Sequence, residues 1–289
     1  MRIGIVFAAN GRDENQDAVQ VAEYKNGDLN VVVRDEIGTA DGYLEIAWSA
    51  IAVICDGMGG LSLAKEAAQL AADTFMQLSI SAWKKWAMLD PEDYVSIRQD
   101  CNDILTYVNS KIIALGQARH LSVGTTLCAC ILLPNGYLIT QWIGDSRAYL
   151  YSADSRTMHM LTTDDNLATK QYLEGLLDEE QMLSSKNRNQ LTAYLGELHP
   201  FPFHFNIRNT HPGDVVLLVS DGAVGSLDKY CLLDNLILFH NDLHKLADEI
   251  CIDAREKGST DNQSVICFYV QSSKNIAEIL ETKHGDDCE

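Results

Sequence analysis

The sequence predicts an α+β fold: a four-layer α-β-β-α sandwich of two mainly antiparallel sheets, with helix pairs on the outer faces. Three observations predict it. Strand-like apolar runs cluster at both ends of the chain. Two long amphipathic segments stand side by side between them. Pro134-Asn135-Gly136 separates two apolar runs, a hairpin signal because Asn-Gly accepts positive φ. Strands, then adjacent helices, then strands again argue for α+β rather than alternating βαβ units.

The strand candidates are Arg2–Ala8, Val19–Tyr24, Asn30–Val33, Ile46–Cys55, Thr125–Leu133, Tyr137–Ile143, Arg147–Ser152, Phe203–Arg208, Val215–Ser220 and Ser264–Val270. Ile46–Cys55 is mostly Ala, Val and Ile and reads as a central strand. In Leu63–Leu78, residues such as Leu63, Ala67, Leu70, Ala71 and Phe75 form one apolar stripe, the spacing of a buried helix face. Asp90-Pro91 has the form of an N-cap followed by Pro at the first helical position, which starts a second helix over Glu92–Leu115. Lys170–Ser184 and Asn241–Glu256 read as further helices, and a short helix with an acidic end is expected from Lys274. There is no internal repeat and no linker composition, so one domain is expected over 1–272, with a tail over 273–289.

Forty-one acidic residues against 22 basic give a formal net charge of -19. That balance excludes broad nucleic-acid or anionic-membrane binding, since a negative surface repels phosphate backbones. A small phosphorylated substrate needs only a local cationic site. The 46% hydrophobic content supports a sizeable core. None of the eight cysteines forms a C-x-x-C pair, and several lie in apolar runs such as Leu127–Ile131, the pattern of reduced core thiols. No run approaches the ~18 apolar residues of a membrane span. The apolar start at Met1–Ala9 is too short for a signal peptide and is followed at once by Asn10–Asp13. A cytoplasmic location is expected.

Three aspartates carry the functional reading. Asp56 lies in Asp-Gly-Met-Gly-Gly, Asp221 in Ser-Asp-Gly and Asp261 in Thr-Asp-Asn. Carboxylates held at strand ends suit hard cations such as Mg²⁺ and Mn²⁺. Taken alone, Asp56 is equally an N-cap at a glycine-rich turn, and Arg12–Asp17 is a polar turn. Gly144–Arg147 reads alone as a strand-end turn with Asp145 and Arg147 paired on the surface. The glycines form neither a P-loop nor a dinucleotide fingerprint, and Ser146 lacks a nucleophile elbow.

The ordered series is more specific than any member. Arg-x-x-Asn-Gln-Asp at 12–17, Asp-Gly-Met-Gly-Gly at 56–60, Gly-Thr-Thr at 124–126, Gly-Asp-Ser-Arg at 144–147, Leu-Thr-Thr-Asp at 161–164, Ser-Asp-Gly at 220–222 and Asp-Asn at 261–262 occur in that order. In this the chain resembles the metal-dependent protein phosphatase family (PP2C-like, PPM) in its bacterial-type form. The segment around 165–196, including Arg188–Thr192, resembles that family's flap.

The resemblance implies a phosphoserine/phosphothreonine protein phosphatase that uses two Mn²⁺ or Mg²⁺ ions and a metal-bridging hydroxide. By carry-over Asp56 would bridge the ions, the Gly57 carbonyl, Asp221 and Asp261 would complete the set, and Asp17 would support it. Arg12 would grip the substrate phosphate, and Asp145 is the candidate for a third metal. The implied partner is a phosphorylated protein, the product of a Ser/Thr kinase, met by a monomer. Four positions depart from the pattern, and at one of them Gln16 stands where the family often has Glu. Met58 cannot donate a proton, Asp165 stands where the family usually has His, and Gly225 supplies no carboxylate to a third ion. A domain of this kind that had lost catalysis would serve as a binding or regulatory module, which is the competing reading.

Overall fold

The computed structural model describes residues 2–25, 28–34, 44–45, 49–59, 61–89, 93–198 and 204–270. Thirteen strands are present among them: β1 (Arg2–Ala8), β2 (Asp17–Lys25), β3 (Asp28–Arg34), β4 (Leu44–Glu45), β5 (Ser49–Met58), β6 (Gly124–Thr125), β7 (Leu127–Leu132), β8 (Tyr137–Ile143), β9 (Arg147–Ser152), β10 (Thr157–Met160), β11 (His204–Asn209), β12 (Val215–Val219) and β13 (Gln263–Tyr269). The helices are α1 (Leu61–Trp86), α2 (Tyr94–Arg119), α3 (Leu167–Leu173), α4 (Glu179–Ser184), α5 (Asp221–Val224), α6 (Lys229–Phe239) and α7 (Leu243–Glu256).

The strands form two sheets, in the order β10-β9-β12-β13-β1-β4 and β11-β8-β7-β5-β2-β3. The paired strands of both are antiparallel. α1 packs on β5 and β2 with α2 beside it, and α7 packs on β1 and β13 with α6 beside it. The expected sandwich with helices on both outer faces is therefore present. β5 and β7 show why the two sheets meet: Ile51–Cys55 and Leu127–Leu132 are buried throughout, as strands covered on both faces must be.

Four expectations need correction. β5 does not end at Asp56. It runs on to Met58, because Gly57 and Met58 pair with Thr125 and Gly124 of β6. The single helix over Lys170–Ser184 is two helices, interrupted at Gly175, whose φ of 75° no helical residue adopts. A capping box formed by Asp178 and Gln181 then starts α4 afresh. α1 extends past Leu78 to Trp86, where Trp83 and Trp86 bury their rings. The single strand over Thr125–Leu133 divides into β6 and β7, and strands β4 and β10 and helices α5 and α6 are additional to the sequence reading. The expected Asp90-Pro91 helix start, the start of Ile46–Cys55 and the tail from Lys274 lie outside the described residues.

Trp83 fastens the α1 layer to its sheet. Its ring lies 5.0 Å from that of Tyr24 on β2, and its Nε1–H donates to the Leu132 carbonyl of β7 at 3.1 Å. Trp83→Ala is expected to cost about 3–5 kcal/mol through the cavity it leaves. Thermal unfolding followed by circular dichroism should show a Tm lower by roughly 10 °C; an unchanged Tm would contradict this packing role.

Candidate metal centre

The carboxylates converge because the strands bring them together. In the β2–β5 ladder Asp17 stands directly opposite Asp56. Asp221 opens α5 just beyond β12, and Asp261 lies in the turn before β13, whose neighbours are β12 and β1. One cleft of about 520 Å³ is lined by Asp56, Asp145, Asp221 and Asp261, together with Arg12 and Gly57. Asp17 lies beneath it and is 1% exposed.

Hydrogen bonds fix the loops that carry these groups. Asn262 accepts from the Gln16 amide at 2.9 Å and donates to the carbonyls of Ala9 and Glu14, both at 3.1 Å. Asn10 donates in return to the carbonyls of Ser259 and Asp261. The loop that holds Arg12 is thereby stitched to the loop that holds Asp261. Ser259 Oγ donates to the Gly222 carbonyl at 2.6 Å, which ties in the start of α5. The Asp56 carbonyl accepts from Thr126 N–H and from Thr125 Oγ1, both at 2.9 Å, so its backbone is held on the opposite side as well. Gly57 leaves no room for a side chain: a Cβ there would lie 2.2 Å from the Ala64 carbonyl oxygen.

This cluster is costly without a cation. Asp17 has its pKa pushed up to about 7 by burial and by the charges of Asp221 and Asp261. Asp56 is raised by burial first, then by Asp17, Asp221, Asp145 and Asp261. Burial raises Asp145 too, with Asp221 and Asp164 adding to it. Asp221 is raised by burial and by Asp261, against a hydrogen bond from Asp56. Buried Oδ1 atoms of Asp17 and Asp221 have no hydrogen-bond partner. Buried carboxylate oxygens left without a partner beside an acidic cleft have the chemistry that suits a hard divalent cation.

Among the described residues, no group of three or more His, Cys, Asp or Glu side chains is already arranged to hold a metal ion. Arg12 meanwhile pairs with Asp261, Nη1 to Oδ1 at 2.5 Å, and donates from Nε to the Thr260 carbonyl at 3.2 Å. The expected phosphate grip thus shares its guanidinium with an expected metal ligand.

Arg147 does not make the surface pair with Asp145 that the local sequence suggests. It forms a two-pronged bond to Asp164, at 2.9 Å from Nε and 2.7 Å from Nη2, with both side chains largely buried. Asp165 braces the neighbouring turn. One of its oxygens accepts from the Gly144 amide and the other meets His204 Nε2 at 2.8 Å. It thereby holds the turn that presents Asp145, where Gly144 has φ of 102°. Among the cleft residues absent from the sequence-predicted site are Thr126 and Arg188. Thr126 donates or accepts at Ser146 Oγ, 2.8 Å away, and accepts from the Asp56 amide. Arg188 of the flap segment donates from Nη2 to the Gly225 carbonyl at 3.0 Å, so a guanidinium stands at the corner where the sequence lacks a carboxylate. The Gly-Thr-Thr and Arg-Asn motifs marked both neighbourhoods without assigning either side chain a part.

The sequence profile of the family described as Protein phosphatase 2C matches residues 35–249. The chain belongs to that family. Asp56, Asp145 and Asp221 fall inside the matched span, whereas Arg12, Asp17 and Asp261 fall outside it. A putative protein phosphatase 2C-type from Streptococcus pyogenes serotype M6 is 28% identical over 178 residues, which cover 61% of this chain and 68% of that one. The Mycobacterium tuberculosis serine/threonine phosphatase PstP/Ppp has the same fold, with a TM-score of 0.71 at 22% identity, covering 94% of this chain and 100% of that one. A structure of the PstP catalytic domain in complex with 2 manganese ions gives a TM-score of 0.69 at 22% identity, covering 93% and 98%. As a protein phosphatase 2C family member the chain has, among its described residues, no helix long and apolar enough to cross a membrane.

The charge cluster has a pH signature in metal-free protein. Asp17 titrates near 7 folded and near 3.8 unfolded, so the folded state holds the extra proton between those values. Stability should therefore fall as pH rises from about 4 to 7, by up to about 1.4 kcal/mol per pH unit for one such proton. In EDTA, the Tm of Asp17→Asn should decline less over this range than the Tm of the wild type. Parallel Tm curves would contradict the assignment.

Proposed function

We propose that this protein is a metal-dependent phosphoserine/phosphothreonine protein phosphatase. The observation that supports it best is the cleft in which Asp56, Asp145, Asp221 and Asp261 meet over buried Asp17, with Arg12 on its wall. Asp56, Asp221, Asp261 and the Gly57 carbonyl would hold two Mn²⁺ or Mg²⁺ ions, with Asp17 in support. Such ions, when bound, activate water at neutral pH and neutralise charge on phosphoryl oxygens.

The protein's own groups account for the rest. Arg12, whose side chain is 43% exposed at the cleft wall, would bind a phosphate oxygen and orient the ester. The Thr126 and Asn262 hydrogen bonds would keep the carboxylates in place through the reaction, which is where positioning lowers the barrier. Water oxygen bonds to phosphorus as the bond to the Ser or Thr oxygen breaks, and the alkoxide takes its proton from solvent. Met58 lines the cleft and cannot supply that proton. Asp145 would assist a third, looser ion. A Ser/Thr kinase product is the expected substrate, encountered by a monomer in the cytoplasm.

Phosphate release from a phosphothreonine peptide in Mn²⁺ tests this. Asp56→Ala should fall to background, Asp221→Asn should lose about 10²–10³-fold in kcat/KM, and Arg12→Ala about 10²-fold. Wild-type protein that turns over nothing in Mn²⁺ or Mg²⁺, while folded, would favour the non-catalytic module instead.

A further inference from the structure

A second and larger depression adjoins the cleft. It holds about 1170 Å³ and is walled by β9 and β10 on one side, α3 and α4 on another, and the α5–α6 segment on the third. Its apolar residues include Met160, Leu173, Leu183 and Tyr230, which are 47%, 70%, 53% and 67% exposed. Large exposed apolar side chains gathered along one groove suit a binding surface. β10 is also the edge strand of its sheet, a place where an extended segment can lie.

Two features say what would lie there. The groove runs continuously into the cleft, since Arg147, Asp164 and Arg188 line both. Whatever binds in it is therefore joined to the group in the cleft. Its rim carries Asp178, Glu179, Glu180 and Asp228 against Lys229; Asp228 is also paired with Lys257 at 3.1 Å and Asp178 caps α4, so Glu179 and Glu180 are the carboxylates left to meet a ligand. Glu179 and Lys229 face each other at 3.8 Å and are about two-thirds exposed, an ion pair that a basic ligand displaces at little cost. A second copy of this chain, at a formal net charge of -19, is repelled by that rim.

We infer that this groove docks the substrate segment flanking the phosphorylated residue, and that it selects large apolar side chains accompanied by Lys or Arg. The selected residues lie close in sequence to the phosphoresidue, because groove and cleft share lining residues and an extended chain advances only ~3.3–3.6 Å per residue. The flap helices α3 and α4 then serve as a specificity wall, and Arg188 stands at the junction of groove and cleft. This inference rests on the phosphatase reading.

The test compares kcat/KM in Mn²⁺ for phosphothreonine peptides that carry Leu, Phe and Arg on the N-terminal flank, on the C-terminal flank, or Ser and Glu on both. The small ester p-nitrophenyl phosphate is the reference, because it cannot reach the groove. One apolar-basic peptide should exceed the Ser/Glu peptide by about ten-fold or more. Leu173→Ser with Tyr230→Ser should erase most of that gain and leave p-nitrophenyl phosphate turnover unchanged. Glu179→Lys with Glu180→Lys, on an exposed helix, should remove the preference for Arg by itself. Turnover of the small ester with equal kcat/KM for all peptides, or a preference that survives both variants, would overturn the inference alone. No turnover of the small ester would overturn the phosphatase reading and the inference with it. A dimer in sedimentation that Leu173→Ser with Tyr230→Ser dissociates would assign the groove to a second copy and overturn it as well.

Discussion

Mutual repulsion among buried carboxyls is the constraint on which the rest of this structure depends. Asp17, Asp56, Asp145 and Asp221 all have raised pKa values, with burial as the largest cause and one another's charges adding to it. A fold does not gather such groups for stability, because an ionised carboxylate held from water without a partner is expensive. Two sheets must press their ends together to keep them in one place. The Asp17–Asp56 ladder position, the Asn262 staple and the Ser259–Gly222 bond all hold the loops against that repulsion.

The same constraint separates rigid parts of the site from adaptable ones. Strand and turn backbones around Asp56 and Asp261 are bonded on both sides. Arg12, by contrast, is partly exposed and paired with Asp261 through an arrangement that a cation on that carboxylate would rebalance. On the other wall the Arg147–Asp164 bridge is buried and two-pronged, which makes it a fixed post between cleft and groove. The cleft and the groove are thus adjoining surfaces that share three side chains.

Much of this was legible in the sequence, and the exceptions have physical causes. Continuous apolar runs made the central strands readable, and the ordered aspartate motifs marked the loops that converge. β10 escaped notice because Thr157–Met160 is an edge strand of four residues with mostly exposed side chains, too short to show a period. The break between α3 and α4 was hidden because Gly175 in a helical pattern is tolerable until its backbone turns left-handed. The continuation of β5 through Gly57 depends on pairing with β6, about 70 residues further on, which local propensity cannot register. Arg147 was misread for the same reason, since its partner Asp164 lies seventeen positions away across a strand turn.

The central claim is that protons hold this carboxyl cluster together until divalent cations replace them. Calorimetric titration of metal-free protein with Mn²⁺ near pH 7, repeated in buffers of different ionisation enthalpy, tests it most directly. The account predicts binding of two ions with net proton release, and loss of both the heat and the release in Asp56→Ala. Absence of binding heat, or binding that Asp56→Ala leaves intact with no proton released, would contradict it.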